Sequence, residues 1–549
     1  MTFKVARKEW VFVGVIAGII LLVTALPYVF AYVSAPPDKH FVGFIFNVSD
    51  HSQYMAWYRG FQTSFLISNK LTPEPNPPIF FNLLWLILGR FGSYTGLSPA
   101  SVYQIFRWLA GAFFLFVVYA FIAEVFADLR QRRMAFLVVA LGAGLGWILV
   151  VLKYALAQGE LLYPLDVYIA EGNSFLCMMA FPHFAEAVGL ILVVFWLLLR
   201  GERREQLRYA LYAGLVALFL GWQHGYDLLI GWGVPAAYIA LRLVLDRKLP
   251  LYWIKALFIV GLLSWPPALY SVLLTRMDPL WEEILAQFSN AGVYSPSPLH
   301  MFILMGLPLA AAVATLIGYA FERLKKKEAV DSARSTPELF VAVWFVSGWL
   351  LTYVPTDFQV HMISSWQIPI ALLATWGVFR YVVPAVKRRW PTLDAARWVA
   401  LACVLLVIPT NLYLWAWRFY DLGRHDYPYF LYRDDVAALE WLDEHASPNA
   451  VVLSAYDTGR YIPLLADCYA FLGHWAQTVG FYEKRIAVNR FFDASTDDGF
   501  RQEVLREYKV GYVLYGPAER ALGSYTPEGS NFLIPVFSAP QTKVYEVRR

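Results

Sequence analysis

Long apolar runs fill the first three quarters of the chain, and they decide what it can fold into. Between Trp10 and Trp417, runs of roughly 18–23 apolar residues alternate with short charged or proline-rich stretches. A helix needs roughly 20 residues to cross a bilayer core, and lipid offers no other hydrogen-bond partners to the backbone. The chain is 59% hydrophobic and only 16% charged, whereas soluble proteins carry about 25% charged residues. The sequence therefore predicts a polytopic α-helical membrane protein.

The apolar runs predict about eleven spans. They centre near residues 11–32, 101–126, 134–152, 184–200, 208–222, 227–243, 251–273, 300–320, 337–354, 365–383 and 396–417. The first run lacks a clean cleavage site, so we interpret it as a retained span and not as a signal peptide. The apolar stretch Pro78–Leu88 is too short to span a bilayer and predicts a helix at the membrane surface.

The basic residues indicate an orientation. About half of the 45 Lys and Arg residues lie in every second connection between spans, which the positive-inside rule assigns to the cytoplasm. This alternation predicts an odd number of spans, a cytoplasmic N-terminus and an exoplasmic C-terminal end in a cell membrane. The connections predicted to be cytoplasmic are short and hold no GxxxxGK[ST] motif, which argues against an ATP-driven pump. The net charge of +4 is small, and we expect no nucleic-acid partner.

The C-terminal segment, residues 427–549, is more polar and predicts a separate soluble domain. Its short apolar strands alternate with amphipathic helices, which is typical of a small α/β domain. The predicted organisation is a membrane domain over residues 1–426, with long exoplasmic loops at 34–100 and 153–184, followed by this exoplasmic domain. His474 and Trp475 follow a predicted strand, where they form either an exposed site or a packed aromatic corner.

The first long loop carries the strongest candidate residue. In the run Asp50-His-Ser-Gln-Tyr54, Asp50 and Tyr54 are one helical turn apart, so they share a face of a short helix, and Arg59 follows on the same segment. Asp50 falls in the first turn, where the helix dipole favours a carboxylate. Asp50 is therefore either a functional acid or only a capping residue.

The other outer connections hold further candidates. Carboxylates in apolar, membrane-facing segments are costly, and they are usually either functional or paired. The candidates are Asp166 and Glu171, His183, His224 and Asp227, Arg276, and His361. The structural alternatives are that Asp166 and Glu171 pair with Lys153 or cap a helix, and that His224 and Asp227 only form a turn.

This layout resembles the GT-C membrane glycosyltransferases, and more narrowly the family 39-like proteins. The superfamily also includes protein O-mannosyltransferases, lipopolysaccharide sugar transferases and oligosaccharyltransferases. The segments that carry the resemblance are Pro36-Pro-Asp38, Asp50-His-Ser-Gln-Tyr54, Pro182-His183-Phe184, His224-Gly-Tyr-Asp227 and Tyr512-Val-Leu-Tyr-Gly516. The sequence departs from the family in two places. His51 stands where the O-mannosyltransferases have Glu, and the C-terminal segment has no Trp-Trp-Asp motif, so transfer to Asn sequons is not supported.

The resemblance implies an enzyme that transfers a sugar from a polyprenyl phosphate to an acceptor hydroxyl at the exoplasmic face. The acceptor would be a glycan, a lipid or a protein. Asp50 would be the general base, and Asp166 or Glu171 would assist it by binding sugar hydroxyls or a divalent metal. Tyr54 and Asp227 would contact the substrate. The positive candidates for the lipid phosphate are Arg59, His183, His224, Arg276 and His361.

The main alternative is a transporter or lipid flippase with an exoplasmic binding domain. Transporters place ionisable residues near the membrane midplane, beside broken helices. In this sequence the acidic residues cluster in the outer connections, and no pair of Gly- or Pro-split spans stands out. The pattern therefore favours the enzyme. A non-catalytic receptor or scaffold, with the C-terminal segment as its binding module, is the third alternative.

Overall fold

Long apolar helices form the membrane part of the fold. A computed structural model describes residues 5–156, 167, 169–290, 294–326 and 337–548. Within these residues, seven helices are long and apolar enough to cross a membrane. They are Arg7–Ser34, Pro99–Val125, Pro182–Arg204, Asp227–Asp246, Leu251–Met277, Pro298–Glu322 and the helical stretch Gln359–Arg389.

Four more predicted spans correspond to bent or shorter helices. Two bent pairs, Leu129–Leu141 with Gly146–Leu156 and Ala395–Val407 with Pro409–Leu422, bring the number of spans to nine in the described part of the chain if each pair is one span. The shorter apolar helices Arg208–Gly221 and Pro337–Leu351 match the remaining two predicted segments. The chain is thus a multi-pass membrane protein, while its predicted orientation stays a prediction.

Both bends occur where the sequence interrupts a helix. One lies at Gly142–Gly144, where a β-carbon on Gly144 would come within 2.1 Å of the Ile303 carbonyl oxygen. The other lies at Pro409, which has no backbone N–H. The Ala143 N–H of the first bend donates to the Val407 carbonyl of the second, at 2.8 Å. The interpretation that no pair of Gly- or Pro-split spans stands out was therefore wrong. The bends are tolerated because a backbone donor of one pairs with a backbone acceptor of the other.

The C-terminal segment contains the predicted α/β structure. We number the strands β1 to β7 in chain order. A five-stranded sheet has the order β4-β3-β5-β7-β6. Its strands are β3 (Val451–Leu453), β4 (Tyr469–Ala470), β5 (Val510–Tyr515), β6 (Leu533–Ser538) and β7 (Lys543–Val547). The pairs β3–β4 and β3–β5 are parallel, and β5–β7 and β7–β6 are antiparallel. The main helices are Arg433–His445, Phe481–Phe491 and Asp498–Glu507.

The described chain forms two compact units. The first unit comprises residues 1–25, 106–271 and 293–417, and the second comprises residues 26–105, 272–292 and 418–549. In the second unit, β1 (Lys39–Phe41) pairs antiparallel with β2 (Phe430–Tyr432), so the first long loop folds together with the C-terminal segment. That residues 427–549 fold as a domain of their own stays a prediction.

The first long loop carries two helices. The first loop helix, Val48–Phe61, lies where the sequence predicts it. The second loop helix is Leu83–Thr95, so the prediction of a helix over Pro78–Leu88 was wrong in its bounds. Phe80 is instead held in an antiparallel bridge to Ile67. The second loop helix then begins after Asn82, whose side chain caps it by accepting from the Trp85 N–H at 3.2 Å.

Candidate functional site

The carboxylate of Asp50 is held at the start of the first loop helix. Asn47 precedes this helix in the left-handed conformation, with a φ of 37°, which Asn adopts more readily than most residues. Its side-chain amide donates to Asp50 Oδ2 at 2.6 Å. The Asp50 side chain remains 29% exposed. Asp50 is thus a first-turn carboxylate, as predicted, and both of its oxygens form hydrogen bonds with side chains.

His474 supplies the second contact to Asp50. Its Nε2 lies 3.3 Å from Asp50 Oδ1, although the two residues are 424 positions apart. The His474 side chain is 2% exposed, and it is held in a loop that follows β4. Of the two predicted environments, the structure shows the buried one. No sequence pattern indicates the contact to Asp50, and His474 was not among the predicted site residues.

Two neighbours of Asp50 on the first loop helix, His51 and Tyr54, make contacts of their own. His51 is buried and bonds the Tyr103 hydroxyl through Nε2 at 2.9 Å. Tyr54 stacks on Trp85, with ring centroids 5.2 Å apart. Both residues therefore belong to the packing that supports the helix start.

Arg59 lies at the other end of the same helix. It is nine residues beyond Asp50, which corresponds to about 13 Å along the helix axis. Its Nη2 lies 2.7 Å and 2.8 Å from the two carboxylate oxygens of Asp443. The structure therefore does not bring Arg59 to the carboxylate of Asp50.

A second polar group of side chains lies in the first unit. Glu171, in the short turn Ala170–Gly172, pairs with His361 Nδ1. The Tyr226 ring stacks on the His361 ring at a centroid distance of 4.6 Å. Since Glu171 pairs with His361, the alternative partner Lys153 is not needed to explain its position.

The turn before helix Asp227–Asp246 adds to this group. His224 Nδ1 lies 3.3 Å from Asp227 Oδ2, and the Asp227 side chain is fully buried. The His183 and His224 rings are 5.5 Å apart. Five of the predicted residues therefore lie together in one polar group: Glu171, His183, His224, Asp227 and His361.

Two other predicted residues lie outside both groups. Asp166 falls outside the described residues, so its predicted role stays a prediction. Arg276 is exposed in the last turn of helix Leu251–Met277. In the described parts of the chain, no three His, Cys, Asp or Glu residues lie close enough together to hold a metal ion.

Comparison with known proteins identifies the fold. No protein-family model and no curated protein matches the sequence. The ligand-free oligosaccharyltransferase of Archaeoglobus fulgidus aligns over 98% of this chain and 74% of its own, with 14% identity and a TM-score of 0.52. This chain has the fold of that oligosaccharyltransferase. The same enzyme in complex with Zn and sulfate aligns over 96% of this chain and 73% of its own, with 14% identity and a TM-score of 0.51.

A second protein also aligns over nearly the whole chain. ArnT from Cupriavidus metallidurans, in its apo state, covers 96% of this chain and 98% of its own, with 13% identity and a TM-score of 0.48. Oligosaccharyltransferases are among the GT-C enzymes that the sequence resembles. The fold that this resemblance implies is therefore confirmed.

Proposed function

We propose that this protein is a membrane glycosyltransferase that transfers a sugar from a polyprenyl phosphate to an acceptor hydroxyl. The observation that supports this proposal best is the carboxylate of Asp50. It is fixed by Asn47 and His474, it stays partly exposed, and it lies in a chain with the fold of a membrane oligosaccharyltransferase.

In the proposed reaction Asp50 is the general base. The acceptor hydroxyl transfers its proton to the Asp50 carboxylate as its oxygen forms a bond to the anomeric carbon of the sugar. The bond from that carbon to the phosphate oxygen breaks, and the lipid phosphate leaves with the electron pair. Attack opposite to the leaving group inverts the anomeric centre. A phosphate is a stable anion, so the base is the one proton-transfer group that this scheme requires.

We propose that the polar group in the first unit binds the lipid phosphate of the donor. Glu171 fixes the His361 ring from one side and Tyr226 packs on its face, so the imidazole has a defined orientation. An imidazole held in this way would donate a ring N–H to a phosphate oxygen. We therefore assign Glu171 to orienting His361, while its direct catalytic role and the divalent metal stay predictions.

An apolar cavity in the first unit is suited to a lipid chain. It has a volume of about 380 Å³ and lies between helices Asp227–Asp246 and Leu251–Met277. The residues that line it include Trp232, Gly233, Leu257, Gly261, Leu351 and Met362. We propose that part of the polyprenyl chain of the donor occupies this cavity.

Replacing Gly261 with Trp tests this proposal. Gly261 lines the cavity, and a β-carbon there has no atom within 4 Å, so a new side chain begins in open space beside the cavity. We expect the KM for a long-chain donor to rise about tenfold, which corresponds to losing the burial of roughly two methylene groups. A donor with a two-isoprene chain should keep its KM.

Gly18→Trp is the matched control. Gly18 lies in helix Arg7–Ser34, and a β-carbon there also has no atom within 4 Å. An equal rise in KM for both chain lengths, or for both variants, would contradict the assignment of this cavity to the lipid chain.

The proposed activity is tested on purified protein in liposomes that contain a polyprenyl-phosphate donor with a radiolabelled sugar. Enzyme activity gives a covalent product with the acceptor. Secondary transporters also contain broken helices, and the described residues of this chain include two bent helix pairs. Movement of the labelled lipid across the bilayer without covalent product would therefore favour the transporter and contradict the enzyme.

A further inference from the structure

We infer that His474 is a positioning residue for Asp50, so the C-terminal segment completes the catalytic apparatus. This inference rests on the proposed function, in which Asp50 is the base. It concerns a residue that lies 424 positions from Asp50 and donates a hydrogen bond to it.

The bonding of the imidazole defines its protonation. The backbone N–H of Ala476 donates to His474 Nδ1 at 3.1 Å, so Nδ1 carries a lone pair and no proton. A neutral imidazole then has its proton on Nε2. That N–H points at Asp50 Oδ1, 3.3 Å away, and donates to it. Asp50 therefore accepts from two neutral donors, since Asn47 binds the other oxygen.

The same bonding excludes His474 as the base. Its Nε2 already carries a proton, and the lone pair on Nδ1 is used by the Ala476 N–H. A second proton on the ring would break that backbone bond inside a buried loop. The carboxylate of Asp50 is thus the group that takes the proton, and His474 fixes the direction of its oxygens.

The loop that carries His474 is rigid. Thr478 Oγ1 accepts from the backbone N–H groups of Gly473 and His474, at 3.0 and 2.9 Å, and donates to the Leu71 carbonyl at 2.5 Å. The Gln287 side chain donates to the carbonyls of Trp475 and Thr478, at 2.9 Å each. A residue that sets the direction of a carboxylate needs such support, because small misplacements of a catalytic group cost about 100-fold in rate.

A second contact ties the C-terminal segment to the start of the first loop helix. The Tyr456 hydroxyl hydrogen-bonds the Ser49 hydroxyl at 2.8 Å. The Arg460 guanidinium lies 4.2 Å from the centre of the Tyr456 ring, which holds the ring in place. Two neighbouring residues, Ser49 and Asp50, are therefore fixed from the same segment.

The test compares His474→Leu with His474→Gln. Leu removes the donor, whereas the side-chain amide of Gln reaches the position of Nε2 and restores it. We expect kcat of His474→Leu to fall about 10- to 100-fold with the donor KM within about twofold, and Gln to recover most of the loss. His445→Gln, at an exposed histidine that stacks on Trp441, should leave kcat unchanged.

Equal losses of kcat in the Leu and Gln variants would overturn the inference, and so would an unchanged kcat in a folded Leu variant. The proposed function is tested separately by Asp50→Asn. Absence of any transfer by the unmodified protein would overturn both. Nitrogen-15 NMR of histidine-labelled protein, assigned with His474→Gln, gives a readout that needs no activity. A proton on Nδ1 of His474 at neutral pH would contradict the positioning role even if the Leu variant does not fold.

Discussion

Asp50→Asn is expected to lower kcat for sugar transfer about 100- to 10,000-fold, the range that general-base catalysis typically contributes. The substitution keeps the size of the side chain, removes its negative charge and its ability to take a proton, and leaves one acceptor oxygen for the two donors Asn47 and His474. A first-turn carboxylate stabilises a helix by about 0.3–1 kcal/mol, so the protein should still insert and fold. The measurement is single-turnover transfer from a labelled polyprenyl-phosphate donor in liposomes, with the donor KM determined in parallel.

Asp498→Asn is the matched control for Asp50→Asn. Asp498 is also a first-turn carboxylate, in helix Asp498–Glu507, and it pairs with Arg501 at 2.9 Å. Its side chain is 54% exposed. Both variants should lose similar stability, and only Asp50→Asn should lose activity. Normal turnover by a folded Asp50→Asn variant would return Asp50 to the capping role that its position also allows.

The spans and the C-terminal domain were predictable from the sequence because their signals are local. Each predicted span has a helix, a bent pair or a shorter apolar helix at its position. In the C-terminal segment, the apolar strands and amphipathic helices that the sequence predicts include β7 and the helix Arg433–His445. An apolar run or an amphipathic pattern is contained within one short stretch of sequence, so a single sequence is enough to recognise the helix or strand that it predicts.

The remaining features depend on partners that are distant in the sequence. Gly144 and Pro409 interrupt apolar runs that are otherwise uniform, and only the backbone of another span shows why each break is stable. His474 follows a short strand in a segment without a catalytic motif, and its contact to Asp50 arises from tertiary folding. By contrast, the place of Asp50 in the first turn of the first loop helix was predictable because helical spacing is a local signal, and its catalytic role stays a prediction.

Glu519 should make the stability of the second unit depend on pH. Its carboxyl group is completely buried, and burial raises its pKa from the usual 4.5 to about 7, with the charge of Asp435 acting in the same direction. A carboxyl group whose pKa is higher in the folded protein stabilises it fully below about pH 4.5, and this stability is lost as the pH rises through 7. The difference corresponds to about 3 kcal/mol in the free energy of unfolding.

The change in the free energy of unfolding caused by Glu519→Gln should therefore have opposite signs at acid and alkaline pH. Glu519 accepts from the backbone N–H of Ala455 at 2.9 Å, the Thr458 hydroxyl at 2.5 Å and the backbone N–H of Gly516 at 2.8 Å. A Gln side chain offers one acceptor oxygen, so it loses about one hydrogen bond, or about 1 kcal/mol, and is less stable than the natural protein at pH 5. At pH 8 it has no buried charge and should be more stable by about 2 kcal/mol.

The measurement is amide hydrogen exchange of β3 and β5 in the full chain at both pH values, corrected for the intrinsic exchange rate. Glu503→Gln, at an exposed residue of helix Asp498–Glu507, should change protection at neither pH. The crossing of the two stability curves separates the charge of Glu519 from its hydrogen bonds, because a loss of hydrogen bonds alone would lower stability equally at pH 5 and pH 8. Parallel curves would show that the carboxyl group of Glu519 has the same protonation in the folded and unfolded chain, contrary to its burial.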